Sequence, residues 1–189
     1  MPDEIIPEEK DEGEVLSEEE ALLDQIVVTE EDSAQFPAEW VAETQTHLND
    51  EQRQNLYQKI LHMTIPQKIR LAMLGNREAR NILIQDRNKI ICHAVLRSPK
   101  MTENDVLSYA QQRNLSQDVS AILGKSKRWT KYYPVKLALA NNPKTPLHIS
   151  LKFLDHLTDR DLKALSRNKN VSSVLNRSAT QILQKRGRL

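Results

Sequence analysis

The sequence is poor in the residues that build disulfides, sheets and phosphate-binding loops. Its 189 residues include one cysteine, four glycines, two tryptophans, four tyrosines and two phenylalanines. A single cysteine excludes an internal disulfide framework and a cysteine-rich zinc site, and it suits a reducing compartment. No G-x-x-x-x-G-K-[ST] or G-x-G-x-x-G loop is present. Scarce glycine and abundant Leu, Ala, Lys, Gln, Arg and Glu favour helix over sheet.

Long apolar runs are also missing. No stretch of about 18 consecutive apolar residues occurs, so we expect no membrane span. The first residues, MPDEIIPEEKDEGE, are acidic, whereas a secretory signal needs a basic start followed by an apolar run. The sequence therefore predicts a cytoplasmic protein without a membrane partner.

The near-neutral net charge of +1 hides a strong asymmetry. Residues 1–50 hold 17 of the 26 acidic residues and one base, Lys10, which gives a net charge of −16. Residues 51–189 carry the other 26 bases and a net charge of +17. An acidic arm joined to a basic body indicates an anionic partner, or an arm that competes with one.

Residues 1–35 form the acidic arm, which we expect to be largely disordered because its composition offers little apolar surface to bury. One segment, SEEEALLDQIVV at 17–28, begins with a capping box between Ser17 and Glu20. It predicts a short helix that forms on a partner, or on the basic body in cis or in trans. A transient helix with no partner is the alternative.

The rest of the chain is predicted to be all-α, with N-terminal capping helices over residues 36–63 and a basic helical repeat domain over 64–189. Helix-start signals recur at short intervals. They are Asn49/Asp50, Thr64 with Gln67, Thr102 with Asp105, Ser116 as a weaker case, Thr158 with Asp161, and Thr145 followed by Pro146 at the first helical position. Such close spacing allows only short helices.

A repeat runs through the predicted helices, because alanines Ala72, Ala94 and Ala138 each follow a β-branched residue by three positions. Looser copies centre on Ala121 and Ala164. Small residues let neighbouring helices approach closely, and units that cannot bury their own apolar face must stack. The sequence therefore predicts a solenoid of short α-helices.

The segment VKLALANNPKTPLHISLKFL resembles the leucine-rich repeat variant, a short α-helical repeat close to HEAT-like repeats. The residues that match its V-x-x-A-x-x-x-N-P-x-T-P-x-x-x-x-L signature are Val135, Ala138, Asn142, Pro143, Thr145, Pro146 and Leu151. ICHAVLRSPKMTENDVLSYA is a looser copy. The resemblance implies a stack of α- and 3₁₀-helices. Some members carry a cysteine-ligated iron–sulfur cluster, but this chain lacks those cysteines, so we expect no cofactor.

No catalytic set of residues emerges from the sequence. Cys92 and His93 fall among apolar residues of a predicted buried helix, where a structural thiol is the default interpretation. None of the five histidines makes an H-x-x-x-H or H-E-x-x-H pair. We therefore expect neither an enzyme nor a metal site.

Unusual positive charge remains as the functional signal. From residue 120 onward, 15 Lys and Arg residues face three acids. In a solenoid these bases can line up as one stripe along an edge. The candidate residues for binding an anionic partner are Lys125, Lys127, Arg128, Lys131, Tyr132, Lys144, Arg160, Lys163, Arg167 and Lys169. We expect Trp129 and Tyr133 to pack inside and Tyr132 to be the exposed ring.

Two functions remain open at this point. The first is a protein-interaction scaffold for an acidic or amphipathic partner, which helical repeats commonly provide. The second is binding of a nucleic-acid phosphate backbone by the basic face, modulated by the acidic arm. Single-stranded bases could also stack on exposed rings.

Overall fold

A computed structural model of the chain describes Leu23, Ile26, Asp32 and residues 34–43 and 49–188. Across this part of the chain the regular structure is entirely helical, with twelve helices and no strand. The prediction of an all-α protein is therefore confirmed. The helix predicted over 17–28 lies mostly outside the described residues, as does most of the acidic arm.

The helices are short, as the close spacing of the start signals predicted. Their bounds are α1 Ala38–Val41, α2 Asp50–Leu61, α3 Ile65–Leu74, α4 Arg77–Leu83, α5 Lys89–Arg97, α6 Glu103–Gln111, α7 Gln117–Lys125, α8 Lys127–Thr130, α9 Tyr133–Asn141, α10 Leu147–Leu154, α11 Asp159–Ser166 and α12 Ser173–Lys185. None of them combines the length and apolar composition that crossing a bilayer requires.

Most predicted helix starts are observed. Capping boxes form at Asn49, Thr64 and Thr102, and the Thr158 hydroxyl accepts a hydrogen bond from the Asp161 amide. The prediction for Pro146 is wrong, because this residue caps α10 and the helix begins at Leu147. Its extended backbone places it outside the helix.

The helices form two rows, in which a helix packs on helices that are not next to it in the sequence. In the first row, α3 packs on α5, α5 on α7, α7 on α10 and α10 on α12. The second row contains α4, α6, α9 and α11. Within it α6 packs on α9, Arg77 of α4 pairs with Asp105 of α6, and Tyr133 of α9 bonds Asp161 of α11.

Helices of the second row run parallel to one another. The Arg77–Asp105 and Tyr133–Asp161 contacts join helix starts. The ends are joined by Asn142, after α9, which donates to Ala110 O of α6 at 2.8 Å. Arg186, at the end of α12, donates to Leu157 O and to Asp159 at the start of α11. α11 and α12 are therefore antiparallel, and the two rows run in opposite directions.

The predicted alanine register is only partly correct. Ala72 and Ala94 are fully buried, but Ala138 and Ala121 are half-buried and Ala164 is exposed. In α9 the buried small residue is Ala140. α9 therefore faces the core with Val135, Leu139 and Ala140, and of the two repeat positions in this helix only Val135 is fully buried.

Residues 36–43 cross the α3–α4 turn and are held there by polar contacts. The side chain and backbone amide of Asn76 donate to Glu39 O and Trp40 O, both at 2.7 Å. Lys100 Nζ donates to Val41 O at 2.7 Å. With Phe36 and Trp40 buried beneath, this segment closes one end of the packed helices.

A buried guanidinium, Arg80, secures the same end. Its side chain is 1 % exposed, and Nη1 lies 2.7 Å from Glu43 Oε1 while Nη2 lies 3.3 Å from Asp105 Oδ2. Arg77 Nε contacts the other oxygen of Asp105 at 2.9 Å. Asp105, predicted only as a cap, therefore also neutralises a buried charge.

The acidic arm touches the body at its described residues. Leu23 is buried and Ile26 packs against the core. Asp32 Oδ1 lies 3.2 Å from Arg70 Nε of α3.

Candidate binding groove and basic edges

Helix α9 is apolar on two faces. Val135, Leu139 and Ala140 are buried in the core. A second stripe, formed by Pro134, Leu137, Ala138 and Asn141 at positions i, i+3, i+4 and i+7, lines an open groove instead. A helix that is apolar all round is normally enclosed by protein on every side. The outward stripe of α9 therefore has the composition of a contact surface.

The opposite wall of this groove comes from α6. Leu107 and Gln111, one helical turn apart, face the α9 stripe, and Arg113 lies just beyond the helix end. The groove has a volume of about 440 Å³. Its apolar floor is bordered by amide groups and by one guanidinium, a combination typical of ligand-binding clefts.

Asn142 fixes the width of the groove at its far end. The side chain is buried, and Nδ2 donates to Ala110 O at 2.8 Å and to Gln112 O at 2.9 Å. Its Oδ1 accepts from Lys144 N at 2.9 Å. These bonds satisfy carbonyls at the end of α6 that the helix itself leaves without donors.

The predicted basic residues are on the surface. All nine cations are exposed. Within the described chain, no acidic side chain forms an ion pair with eight of them. These eight are Lys125, Arg128, Lys131, Lys144, Arg160, Lys163, Arg167 and Lys169. Their charge is therefore available to an external anion.

The structure divides these cations into two groups rather than one stripe. The start-edge cluster lies where the second-row helices begin and contains Lys125, Lys127, Arg128, Lys131 and Arg160. The end-edge cluster lies where α9 and α11 end and contains Lys144, Arg167 and Lys169. The two helix ends are joined by a hydrogen bond from Asn168 Nδ2 to Asn141 Oδ1 at 3.0 Å. Lys163 lies midway along α11. The length of α9, about 13 Å, separates the two edges.

The aromatic residues of the start edge are covered. Trp129 is buried as predicted, at 5 % exposure, and the Arg128 guanidinium lies 4.2 Å from its ring centre. The prediction that Tyr132 is an exposed ring is wrong. This side chain is half-buried against the core, and Lys131 Nζ lies 4.8 Å from its ring centre. Trp129 is therefore enclosed, and Tyr132 is less accessible for base stacking than a freely exposed ring would be.

Tyr133, predicted to pack inside, is half-buried against the core in the same way as Tyr132, and it also makes polar contacts. Its hydroxyl donates to Asp161 and accepts from Thr158 N at 3.1 Å. The bond from Tyr133 is the main reason that the pKa of the Asp161 carboxyl lies below its ordinary value, with a smaller contribution from Thr158. Charge-assisted bonds of this kind tie the start of α9 to the start of α11.

The described residues offer little for covalent chemistry. Cys92 is buried, its Sγ lies 3.4 Å from Ile84 O, and burial raises the pKa of the thiol to about 12. Thiol nucleophiles require the opposite shift. Among the described residues, no three His, Cys, Asp or Glu side chains gather as metal ligands would.

The apolar side of the groove was missed at the sequence level. Ala138 was assigned to the repeat signature, and Leu107 and Leu137 were not singled out. A signal was present in VKLALA, which has more apolar positions than one buried stripe of a nine-residue helix can use.

No protein-family model matches the chain, and no curated protein or solved structure shows significant similarity to it. The resemblance to the leucine-rich repeat variant therefore stays a prediction that depends on the residues themselves.

Proposed function

We propose that the chain is a non-catalytic α-helical solenoid, of the leucine-rich-repeat-variant or HEAT-like type, that binds an acidic amphipathic segment of another protein. The α6–α9 groove is the proposed binding surface. Support for the solenoid comes from the alternate-helix packing of two antiparallel rows. The single observation that carries the function is the outward apolar stripe of α9, whose residues Pro134, Leu137 and Ala138 line the groove.

Charge specifies the partner. Arg113 lines the groove and no acidic residue does so. The end-edge cluster follows directly beyond Asn142. A segment with apolar residues on one face and carboxylates on the other would bury its apolar side against α9. Its acidic side would meet cations that make no ion pair with the described residues.

Nucleic-acid binding is the second candidate, supported by the two cation clusters. Phosphate groups need only positive charge at suitable spacing. The protein partner is favoured because the α9 stripe is apolar, which phosphates do not require. The burial of Trp129 and the partial burial of Tyr132 also leave less ring surface for base stacking.

The test is selection of binding peptides from a display library, followed by measurement of their affinity for the full chain. We expect enrichment of peptides with apolar residues at helical spacing and with Asp or Glu between them. Leu137→Glu should weaken their binding at least tenfold, because a carboxylate would replace the apolar floor.

Leu61→Glu is the matched control. Leu61 is 51 % exposed on α2, far along the chain from the groove, so this variant should bind selected peptides with unchanged affinity. Equal loss in both variants, or selected peptides that lack acidic residues, would contradict the proposal.

A salt series with single- and double-stranded nucleic acid addresses the second candidate. A steep decrease of affinity with salt, reduced by Lys127→Gln, Arg128→Gln and Lys131→Gln together, would favour phosphate binding. A chain that begins at Leu23 should bind more tightly than the full chain if the acidic arm competes for the same cations.

A further inference from the structure

A second cavity lies where three helices of the first row begin. It has a volume of about 250 Å³. Its wall includes Gln117 at the start of α7, Leu147 at the start of α10, and Ser172, which caps α12. The partial positive charge at the starts of parallel helices favours an anion in such a place.

The start of α10 lacks the usual capping partner. Its cap residue is Pro146, which has no side chain that can accept a hydrogen bond. The first two helical N–H groups, those of Leu147 and His148, make no hydrogen bond to the described residues. At α7 and α12 the cap residue does supply a side-chain acceptor: Ser116 accepts from Val119 N and Ser172 from Val174 N. The first two amides of α7 are likewise without a hydrogen bond to the described residues, so α10 is distinguished by its cap and not by its free amides.

A side-chain hydroxyl in the wall of the same cavity also has no hydrogen-bond partner among the described residues. Thr145 lines the cavity and is 7 % exposed. Its Oγ1 is buried and finds no hydrogen-bond partner among the described residues. A buried hydroxyl in a folded protein is normally hydrogen-bonded, so an orphaned one indicates a group that the isolated chain does not supply.

The charge and polarity of the other lining residues indicate which chemical group the cavity would accept. Lys144 provides the one charge among the lining residues, and its side chain makes no ion pair with the described residues. Pro143, Leu147 and Val171 provide apolar surface beside it. A cavity of this size admits one side chain rather than a folded segment. The chemistry fits an oxyanion attached to a short apolar stem.

We propose that this cavity binds one carboxylate or phosphate monoester group of the partner segment. The Thr145 hydroxyl and the first amides of α10 donate to it, and Lys144 balances its charge. The proposal rests on the proposed function in one respect, because the oxyanion belongs to the segment in the α6–α9 groove. Asn142 lines both the groove and the cavity, so a segment that leaves the groove past the end of α9 arrives at this cavity.

The test uses the full chain and two small probes, acetate and methyl phosphate, followed by the backbone amide signals of Leu147 and His148 in NMR titrations. Saturable shifts at both amides are expected. The better-binding probe identifies the source of the oxyanion, an acidic side chain for acetate or a phosphorylated one for methyl phosphate.

Thr145→Val is the decisive variant, because it leaves the charge and the shape of the side chain nearly unchanged. It should weaken probe binding about tenfold, the loss expected for one hydrogen bond to a charged group. Its melting temperature should not fall, since the removed hydroxyl has no partner in the fold. Lys144→Gln should also weaken binding, whereas Lys152→Gln, in the last turn of α10, should leave it within twofold of the wild type.

Three results would overturn the proposal. The first is the absence of saturable shifts at Leu147 and His148 with either probe. The second is wild-type affinity in Thr145→Val, and the third is a lowered melting temperature in that variant, which would make the hydroxyl structural. Leu137→Glu separates this test from that of the groove, since it should weaken peptide binding at least tenfold and leave probe binding intact.

Discussion

Tyr133 and Asp161, in the first turns of α9 and α11, are joined by a hydrogen bond from the phenol to the carboxylate. Thr158, the cap of α11, donates its hydroxyl to the same carboxylate at 2.8 Å. This one contact therefore aligns α9 with α11 and completes the cap of α11.

Replacing Tyr133 with Phe should lower the free energy of unfolding at pH 7 by about 1 kcal/mol, since the bond is charge-assisted but only partly buried. The pKa of Asp161 in the folded chain lies below its ordinary value of 3.8. The stabilisation is therefore complete above that pH and is lost as the pH falls through the folded-state pKa. Urea unfolding from pH 7 to pH 3 should show the difference between the two proteins shrinking. A constant difference would assign the effect to packing.

Asn142→Leu should destabilise the chain by about 2 kcal/mol, because it leaves Ala110 O and Gln112 O without their donors. The neighbouring substitution, Asn141→Leu, is the comparison. Its side chain is half-buried, so the loss should be smaller. Denaturant unfolding of both variants measures the difference. Equal losses would mean that Asn142 has no special role in joining α6 to α9.

Lys100→Met should cost about 1–2 kcal/mol, because Nζ donates to Val41 O and Leu74 O at 2.7 and 2.5 Å. Amide hydrogen exchange should accelerate in residues 36–43, which this lysine holds. Lys152→Met removes an exposed lysine without an ion pair in the described chain and should leave both stability and exchange unchanged. Exchange that rises uniformly along the chain would argue against a local role.

Gly124 of α7 lies in close contact with Ile149 of α10. A Cβ atom added at this position would clash with a side-chain methyl of Ile149, which is itself buried. Gly124→Ala should therefore lower stability by about 1 kcal/mol, although alanine is the better helix former. In an Ile149→Ala background the same substitution should become neutral or stabilising, and a double-mutant cycle measures this coupling. Additive effects would exclude the contact as the cause.

Features encoded within one helix could be predicted from the sequence. The caps at Thr64 and Thr102, the buried thiol of Cys92 and the packed ring of Trp129 all follow from local pattern. Contacts between distant segments could not be predicted in this way. Arg80 looks like an ordinary surface cation until Glu43 and Asp105 are brought to it. Tyr132 was expected to be exposed because nothing in its neighbourhood specifies the direction of the side chain.

The α6–α9 groove also depends on contacts between distant segments and could not be predicted from the sequence. Spacing within α9 identifies two apolar stripes, but choosing the one that faces the core requires the positions of α6 and α7. Ala138 matched a repeat signature and was therefore expected to be buried. Its half-exposed position follows from the rotation of α9 about its axis, which packing determines.

The buried thiol of Cys92 can be used to measure local opening of the packing between α4 and α5. The thiol is 1 % exposed and bonded to Ile84 O and Asp86 O. Because its pKa of about 12 leaves almost no thiolate near neutrality, a disulfide reagent can label it only in molecules whose α4–α5 packing has transiently come apart. With no second cysteine to compete, the labelling rate follows that single event.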